Sequence, residues 1–259
     1  MPEGDTVWRA AHHLHEVFAG RELTRTDFRV PAHATLDLSG RVVDEVLSRG
    51  KHLLIRTGDA SIHSHLKMEG AWHVHRLGTR WRRPAHQARA VLETAEHQAV
   101  GYSLGILEVL QRDQEDRAVG HLGPDVLGPD WDLEEAVRRV GTEPDRPVFL
   151  ALLDQRNLAG LGNEYVNELL FLSGLAPERP VGAVGDLEAL LRRGHLLLQT
   201  NKSRVERTFT GITRPGQERW VYRRERGRCR RCGTRLRSGS LGDVPTQERN
   251  TFWCPHCQP

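Results

Sequence analysis

The clearest chemical pattern in the sequence is a set of four cysteines spaced C-x2-C-x21-C-x2-C, namely Cys229, Cys232, Cys254 and Cys257. Four thiolates satisfy the tetrahedral preference of Zn²⁺, and each C-x2-C pair presents two sulfurs to one ion. A module of about thirty residues has too small a core to fold alone, so metal binding would supply its folding free energy. A redox dithiol is the weaker alternative, because two matched pairs exceed what redox chemistry needs. We therefore expect one structural Zn²⁺, with a β-hairpin between the pairs that carries Arg249 at or near its tip.

A second pattern is the glycine-containing turn inside LLDQRNLAGLGNEYVNELLF (152–171). Gly160 and Gly162 allow close approach of the backbone, and Asn163 opens the helix that follows. Glycine turns and helix N-termini donate backbone N–H groups to phosphates, so this segment is a candidate clamp for a nucleic-acid backbone. A plain packing corner between two helices explains the same residues and stays open at this point.

The positive charge of the chain is concentrated between residues 202 and 237. Thirteen Lys and Arg residues stand there against three Glu residues, whereas the whole chain has a net charge of only +3. Such a concentration favours a polyanionic partner, most often nucleic acid. An arginine-rich solvated surface is the alternative.

Composition limits the class of protein. The 259 residues are 38% hydrophobic and 27% charged, which is ordinary for a chain that builds a packed core. No apolar run approaches the roughly 18 residues that span a membrane, and no basic-then-apolar leader precedes the first helix. The cysteines are paired in sequence and are not spread as in a secreted disulfide framework. We therefore expect a cytoplasmic protein.

The first 120 residues contain one helical pattern followed by short strand-like runs. Apolar residues at helical spacing predict a helix over 5–18, capped by Asp5 or Thr6 and ended by Gly20. Short apolar runs with turn signals between them predict strands, and the examples are 41–48, 52–57, 60–66, 71–76, 88–94 and 104–110. Regularly spaced short strands predict an antiparallel sandwich or barrel.

The remainder of the chain has helical periodicity. Residues 121–132 hold two prolines and two glycines and are interpreted as a linker. Helices are predicted over 133–140, 146–154, 163–173 and 185–199. The predicted fold class is α+β, with a β-sandwich domain at 1–118, a helical domain at 119–215 and a zinc module at 216–259.

Taken together, four segments resemble one known family. PEG after the first methionine, RGKHLL (49–54), LLDQRNLAGLGNEYVNELLF and CRRCG…RNTFWCPHCQ are similar to the formamidopyrimidine-DNA glycosylase/endonuclease VIII family of base-excision repair enzymes. The segments occur in family order from residue 2 to residue 258. The resemblance implies a β-sandwich, a helix-two-turns-helix domain and a zinc-finger β-hairpin.

The resemblance also implies a chemical role for the start of the chain. Once Met1 is removed, Pro2 is a secondary amine, and α-amino groups have pKa values of about 7.7–8.0. Such an amine attacks C1′ of a nucleotide, expels the base and leaves a cationic iminium on the opened sugar, which promotes strand cleavage by elimination. Glu3 then moves protons as a general acid and base, and Lys51 matches the family's catalytic lysine.

Four further residues are assigned by the same resemblance. Asn163 matches a phosphate-binding asparagine, and Arg249 matches the zinc-finger arginine that holds phosphates beside the lesion. Glu168 matches an acidic residue of the DNA-binding machinery that supports the N-terminal amine. Met68, in the HLKMEG turn, matches the wedge that fills the gap left by an extruded base, although a buried core methionine is the ordinary alternative.

Two departures from the family pattern bear on chemistry and specificity. Asp5 and Thr6 stand where the family has Pro-Glu, which puts the role of the second carboxylate in doubt. The Arg-Arg-Phe-Gly loop of the oxidised-purine branch has no counterpart in LEVLQRDQEDRAVGHLGPD. This absence resembles the endonuclease VIII branch, which prefers oxidised pyrimidines.

The expected function is therefore a bifunctional DNA glycosylase and abasic-site lyase that removes oxidised bases, pyrimidines above all. The alternatives are an oxidised-purine glycosylase and a non-catalytic, zinc-dependent protein that binds damaged DNA. The expected partner is damaged DNA, and no association with a membrane is expected. We expect the protein to be a monomer that is associated with the nucleoid. A second metal site at His63 and His65, or at His73 and His75, is imaginable, but no carboxylate at matching spacing supports it.

Overall fold

The computed structural model describes residues 2–259, which form two compact units divided after His121. The first unit consists of α1 (Gly4–Phe18), β1 (Arg25–Phe28), β2 (Glu45–Arg49), β3 (His52–Thr57), β4 (Ala60–His65), β5 (Ala71–Arg76), β6 (Ala88–Glu93), β7 (His97–Tyr102), β8 (Ile106–Gln111) and α2 (Asp116–Val119). Its strands form two four-stranded sheets, in the orders β1-β6-β7-β5 and β2-β3-β4-β8. Every neighbouring pair is antiparallel, which confirms the predicted sandwich.

The sandwich has one main core, to which both sheets and α1 contribute. Side chains alternate between the faces of a strand, and in β3 this alternation sends Leu53 and Ile55 into the core. The helix adds one apolar stripe, because Val7, Ala11 and Leu14 are at helical spacing. Burial of this stripe fixes the start of α1 against the sheets.

The second unit holds the helices and a small hairpin. Its elements are α3 (Leu133–Val140), α4 (Val148–Leu153), α5 (Asn163–Ser173), α6 (Leu187–Asn201), β9 (Arg237–Leu241) and β10 (Arg249–Trp253). The predicted bounds of α3 and α5 are confirmed. The helix predicted over 146–154 is shorter, because Pro147 has extended ψ before its first turn and Asp154 is extended after its last. None of the helices among residues 2–259 combines the length and apolar character needed to cross a membrane.

The segment interpreted as a linker is packed inside the second unit. Residues 122–127 are buried. The amide of Val126 donates to the carbonyl of Ala159 at 3.0 Å, and the amide of Ala159 donates to the carbonyl of Pro124 at 2.9 Å. The prolines and glycines therefore shape a buried, irregular segment beside the 155–161 loop, and its interpretation as a linker was wrong.

Candidate active site

The N-terminal segment puts the proposed proline directly beside an enclosed carboxylate. Pro2 is half-buried, and Glu3 is 0% exposed. The carbonyl of Glu3 accepts the amides of Thr6 at 3.0 Å and Val7 at 3.1 Å, so Glu3 is the residue from which α1 begins. The prediction that Asp5 or Thr6 caps this helix was wrong, since both lie inside its first turn.

A second enclosed carboxylate lies in the same turn. Asp5 is 1% exposed, and its Oδ1 accepts from the amide of Thr6 at 2.7 Å and from the hydroxyl of Thr6 at 3.3 Å. A negative charge at a helix N-terminus is stabilised by the helix dipole. The first turn of α1 thus places two buried acids, Glu3 and Asp5, within three residues of Pro2.

Lys51 is placed by a two-residue hairpin turn. Arg49 at the end of β2 pairs with His52 at the start of β3, so Gly50 and Lys51 form the connection. Gly50 has φ +58°, a conformation that glycine adopts without strain, and this permits so tight a turn. The turn presents Lys51 at the end of the sheet β2-β3-β4-β8.

Met68 lies on the surface and not in the core. It sits in the turn that follows β4, and 61% of it is exposed. Lys67 before it has φ +52°, so the turn is held in a left-handed conformation. An exposed, unbranched side chain on a tight turn agrees with a wedge, and the core alternative is excluded.

The histidines form a hydrogen-bonded chain that the sequence did not reveal. Nδ1 of His63 lies 2.7 Å from Oε1 of Glu108, and Nε2 of His63 lies 2.7 Å from Nδ1 of His52. Glu108 stands opposite His63 in the register of β4 and β8, so a carboxylate does face these histidines. This carboxylate comes from another strand and binds one histidine, and the only group of three or more metal-type ligands found among residues 2–259 is the four cysteines.

In the second unit, the turn before α5 is held by its own side chains. Gly160 has φ +114°, and its amide donates to Oε1 of Gln155 at 3.0 Å. Gly162 is extended, a conformation open to any residue, and it precedes Asn163 at the first position of α5. The amides at the start of this helix therefore lie on a rigid turn, with Asn163 only 8% exposed.

Asn167 connects this helix to the hairpin. Its Nδ2 donates to Oδ1 of Asn163 at 3.1 Å and to the carbonyl of Asn250 at 3.3 Å, and its Oδ1 accepts the amide of Phe252 at 2.6 Å. Asn167 is 0% exposed, so these bonds have no competition from water. The orientation of Asn163 thus depends on the hairpin that also carries Arg249.

Glu168 is enclosed by main chain. Its carboxylate accepts the amides of Trp220, Val221 and Tyr222 at 2.8, 2.9 and 2.8 Å, and the residue is 0% exposed. Burial raises the pKa of Glu168 to about 7, although the three amide donors act in the opposite direction. A side chain so enclosed is not placed to touch DNA itself, so the DNA-binding role expected of Glu168 would be exerted through the 220–222 main chain.

We expect Glu168→Gln to lower the free energy of unfolding by about 1–3 kcal/mol, because an amide NH₂ would face a backbone N–H and leave it unpaired. Urea denaturation followed by far-UV circular dichroism measures the change. Glu178→Gln is the matched control, since Glu178 is exposed and the chemical change is the same. Equal stability of the two variants would contradict a structural role for the three amide bonds.

Part of the basic stretch is already neutralised within the protein. Glu164, 3% exposed, accepts from Nη1 of Arg207 at 2.8 Å and from Nε of Arg219 at 2.7 Å. The guanidinium of Arg207 also lies 4.9 Å from the ring centroid of Tyr165. These two arginines bind the segment after α6 to α5. Because their charges are paired with Glu164, the positive charge available to a polyanion is smaller than the sequence count implies.

The four cysteines converge, as their spacing predicts. Their Sγ atoms lie within 4.8 Å of one another, with Cys229 to Cys257 at 3.9 Å and Cys232 to Cys254 at 3.5 Å. Sulfurs about 2.3 Å from one tetrahedral Zn²⁺ would be separated by similar distances. The donor set and its geometry therefore fit one metal ion.

Arg249 lies where the hairpin prediction put it. It is the first residue of β10, pairs with Leu241 and is exposed beside the loop between the two strands. Its Nη1 donates to the carbonyls of Gln247 at 3.4 Å and Glu248 at 3.2 Å, which leaves Nε and Nη2 to donate to a ligand.

Two family models match the chain. Residues 1–103 match the formamidopyrimidine-DNA glycosylase N-terminal domain, and residues 122–199 match the formamidopyrimidine-DNA glycosylase H2TH domain. Among curated relatives, DNA-(apurinic or apyrimidinic site) lyase Nei2 of Mycolicibacterium smegmatis is 54% identical, covering 100% of this chain and 99% of the relative. Endonuclease 8 2 of Mycobacterium tuberculosis is 51% identical over the whole of both chains.

Solved structures share the fold at lower identity. Formamidopyrimidine DNA glycosylase of Lactococcus lactis, non-covalently bound to DNA containing an abasic site, superposes with a TM-score of 0.81 at 24% identity over 99% of each chain. MutM in complex with DNA containing carbocyclic 8-oxo-G gives 0.81 at 23% identity over 100% of each chain.

Proposed function

The chain belongs to the formamidopyrimidine-DNA glycosylase/endonuclease VIII family, and from this membership we propose that it excises oxidised bases from DNA and cleaves the resulting abasic strand. It is a DNA glycosylase with abasic-site lyase activity. Pyrimidine lesions are its proposed substrates, which agrees with relatives named endonuclease 8.

Pro2 is the proposed nucleophile. After removal of Met1, which lies outside the described residues, its secondary amine attacks C1′ of the damaged nucleotide and the C1′–base bond breaks. The amine nitrogen then loses its proton, the C1′–O4′ bond breaks and O4′ takes up a proton, which leaves an iminium that stays cationic and acidifies the hydrogens on C2′. Loss of that proton forms the C2′–C3′ double bond and expels the 3′ phosphate.

The observation that carries this proposal is the enclosure of Glu3 next to Pro2. A carboxylate at 0% exposure has no bulk water to exchange protons with, so it is suited to receive a proton from the amine and return it to the sugar. Asp5, equally enclosed in the same turn, is the proposed replacement for the carboxylate that the family has one residue later.

The remaining site residues are proposed to hold the DNA. Lys51, Asn163 and Arg249 bind phosphates, since an ammonium, an amide and a guanidinium all donate to phosphate oxygens. Met68 fills the gap left by the extruded base. Glu168 acts indirectly, because its three amide bonds fix the 220–222 segment behind α5.

Zinc is the proposed metal of the four-cysteine cluster. When bound, it supplies a structural cross-link and no reaction chemistry, because four protein sulfurs complete its tetrahedral shell. Cys229, Cys232, Cys254 and Cys257 hold it and thereby fix the hairpin that presents Arg249. We further propose domains at 1–118, 119–215 and 216–259 and a monomer that works where chromosomal DNA is.

Borohydride trapping on a panel of lesion duplexes tests the function. Native protein should form one covalent adduct with abasic DNA, and peptide mass spectrometry should locate the adduct on Pro2 with Met1 removed. Thymine glycol duplexes should be processed faster than 8-oxoguanine duplexes. Binding of abasic DNA without any adduct would overturn the enzyme assignment in favour of a non-catalytic damage-binding protein.

A further inference from the structure

A hydrogen-bonded chain crosses the outer face of the sheet β2-β3-β4-β8 and ends beside Lys51. It runs from Glu108, whose side chain is 40% exposed, through His63, whose side chain is 2% exposed, to His52. Both links measure 2.7 Å. A solvent-accessible carboxylate is thus connected to the residue that follows Lys51 through one enclosed imidazole.

The chemistry of the partners determines the direction of both bonds. A carboxylate only accepts, so Nδ1 of His63 carries the hydrogen that it donates to Glu108. In a neutral ring, Nε2 of His63 is then an acceptor, and Nδ1–H of His52 donates to it. Nε2 of His52 is then unprotonated. The His52 end of this hydrogen-bonded series therefore accepts hydrogen bonds and donates none.

The neighbours of this end nevertheless favour an anion. The electrostatic influence of Lys67, His65 and His121 lowers the pKa of His52. Lys51 lowers the pKa of His65 in the same way. Arg49 pairs with His52 across the strands, while Glu45 and Glu115, on the same face, are bound by Arg56. Nδ1 of His65 accepts the amide of Lys67 at 2.9 Å, so its neutral ring already turns a donor, Nε2–H, outward.

Burial and these neighbouring cations hold His52 and His65 in the neutral form at physiological pH. Desolvation lowers the pKa of His52 to about 3 and that of His65 to about 4, with the surrounding cations acting in the same direction. A proton that arrives at His52 is therefore not retained there. The hydrogen bond from His52 leads to His63, whose other ring nitrogen lies 2.7 Å from the carboxylate of Glu108.

We propose that Glu108, His63 and His52 form a proton-coupled contact for a DNA phosphate, in which binding of the phosphate draws one proton into the chain. This inference rests on the proposed function for its ligand. The incoming proton binds Nε2 of His52, and the hydrogen on Nδ1 of His52 moves to Nε2 of His63. His63 becomes an imidazolium paired with Glu108, and Nε2–H of His52 donates to a phosphate oxygen.

The contact couples affinity to pH. By linkage, the slope of the logarithm of the association constant against pH equals minus the number of protons taken up on binding. Because the bound state holds the extra proton, affinity falls as pH rises. An uncleavable duplex with a tetrahydrofuran abasic site isolates this binding from catalysis, and constant ionic strength removes the salt effect.

Calorimetric titration in buffers of different ionisation enthalpy, between pH 6.5 and 8.5, measures the proton uptake directly. Native protein should take up about one proton more per complex than Glu108→Gln or His63→Gln, because neither amide stabilises or accepts the charge. Near pH 6.5 both variants should bind about tenfold more weakly, the value of one charge-assisted hydrogen bond. Glu96→Gln is the matched control, being an exposed acid of the same unit in the β6–β7 turn.

Proton uptake in Glu108→Gln equal to that of native protein would overturn the proposal. Because Glu108 is partly exposed, this variant folds even if His63→Gln does not. Borohydride trapping with the same variants on natural abasic DNA separates the two levels of inference. Trapping at the native level with unchanged proton uptake rejects the phosphate contact alone, whereas native protein that gives no adduct rejects the proposed function.

Discussion

Pro2→Gly is expected to lower strand cleavage of abasic DNA about 100-fold, the size of effect that follows from misplacing a reacting group. Glycine still offers an N-terminal amine, but a primary amine gives an imine that is charged only while protonated. The iminium of a proline has no such proton to lose, so it withdraws electrons from C2′ at every pH. Glycine also lacks the ring that fixes the direction of the nitrogen lone pair.

Rates of nicking and yields of the trapped adduct, measured on the same duplex, test this expectation. Pro31→Gly is the control, because Pro31 is an exposed proline of the same unit and the chemical change is identical. DNA affinity should be similar in both variants, which separates loss of chemistry from loss of binding. Native adduct yield in Pro2→Gly would assign the covalent step to another amine and contradict the role of Pro2.

Much of the fold was predictable because its signals are local. The bounds of α3 and α5 follow from residues at their ends: Asp132 accepts the amide of Glu135 at 3.0 Å, and Gly174 has the left-handed φ of +69° after the last turn. The apolar alternation of 52–57 likewise identified β3. The buried 122–127 segment was missed, because prolines and glycines mark irregular backbone without indicating whether it is exposed.

The candidate site was predictable only where its residues are close in sequence. The cysteine pairs and the Pro2–Glu3 segment belong to short motifs, and the family membership confirms the resemblance they carried. Glu108 and His63 are 45 residues apart, and only the register of β4 and β8 brings them together. Asn167 and Phe252, 85 residues apart, meet only because α5 packs against β10.

Charge counts in sequence have a comparable limit. The stretch 202–237 predicts a basic surface, yet Arg207 and Arg219 form ion pairs with Glu164. Arg224 is bound to the carbonyls of Trp220 and Arg228. The composition counts every charged residue, whereas binding of a polyanion depends on the charges that are not paired within the folded protein.

Cys232→Ser is expected to abolish zinc binding and to weaken DNA binding about tenfold, the loss expected when one charge-assisted phosphate contact is no longer positioned. Cys232 suits this test because it is exposed, whereas Cys254 is 0% exposed and packs beside Phe252. Removing a sulfur at Cys254 would disturb the core as well as the metal. The hairpin has few apolar contacts of its own, so without the ion it should lose its fixed strand register and release Arg249.

Zinc content by mass spectrometry, proteolysis of the hairpin and anisotropy with a tetrahydrofuran duplex together measure the effect. Cys232→His is the control, because an imidazole is also a good Zn²⁺ ligand and three cysteines with one histidine form a common tetrahedral site. It should restore most of the zinc, the protease resistance and the affinity. Chelation of native protein should reproduce the Cys232→Ser result, and native affinity in a zinc-free protein would contradict a role for the metal in holding Arg249 to the DNA.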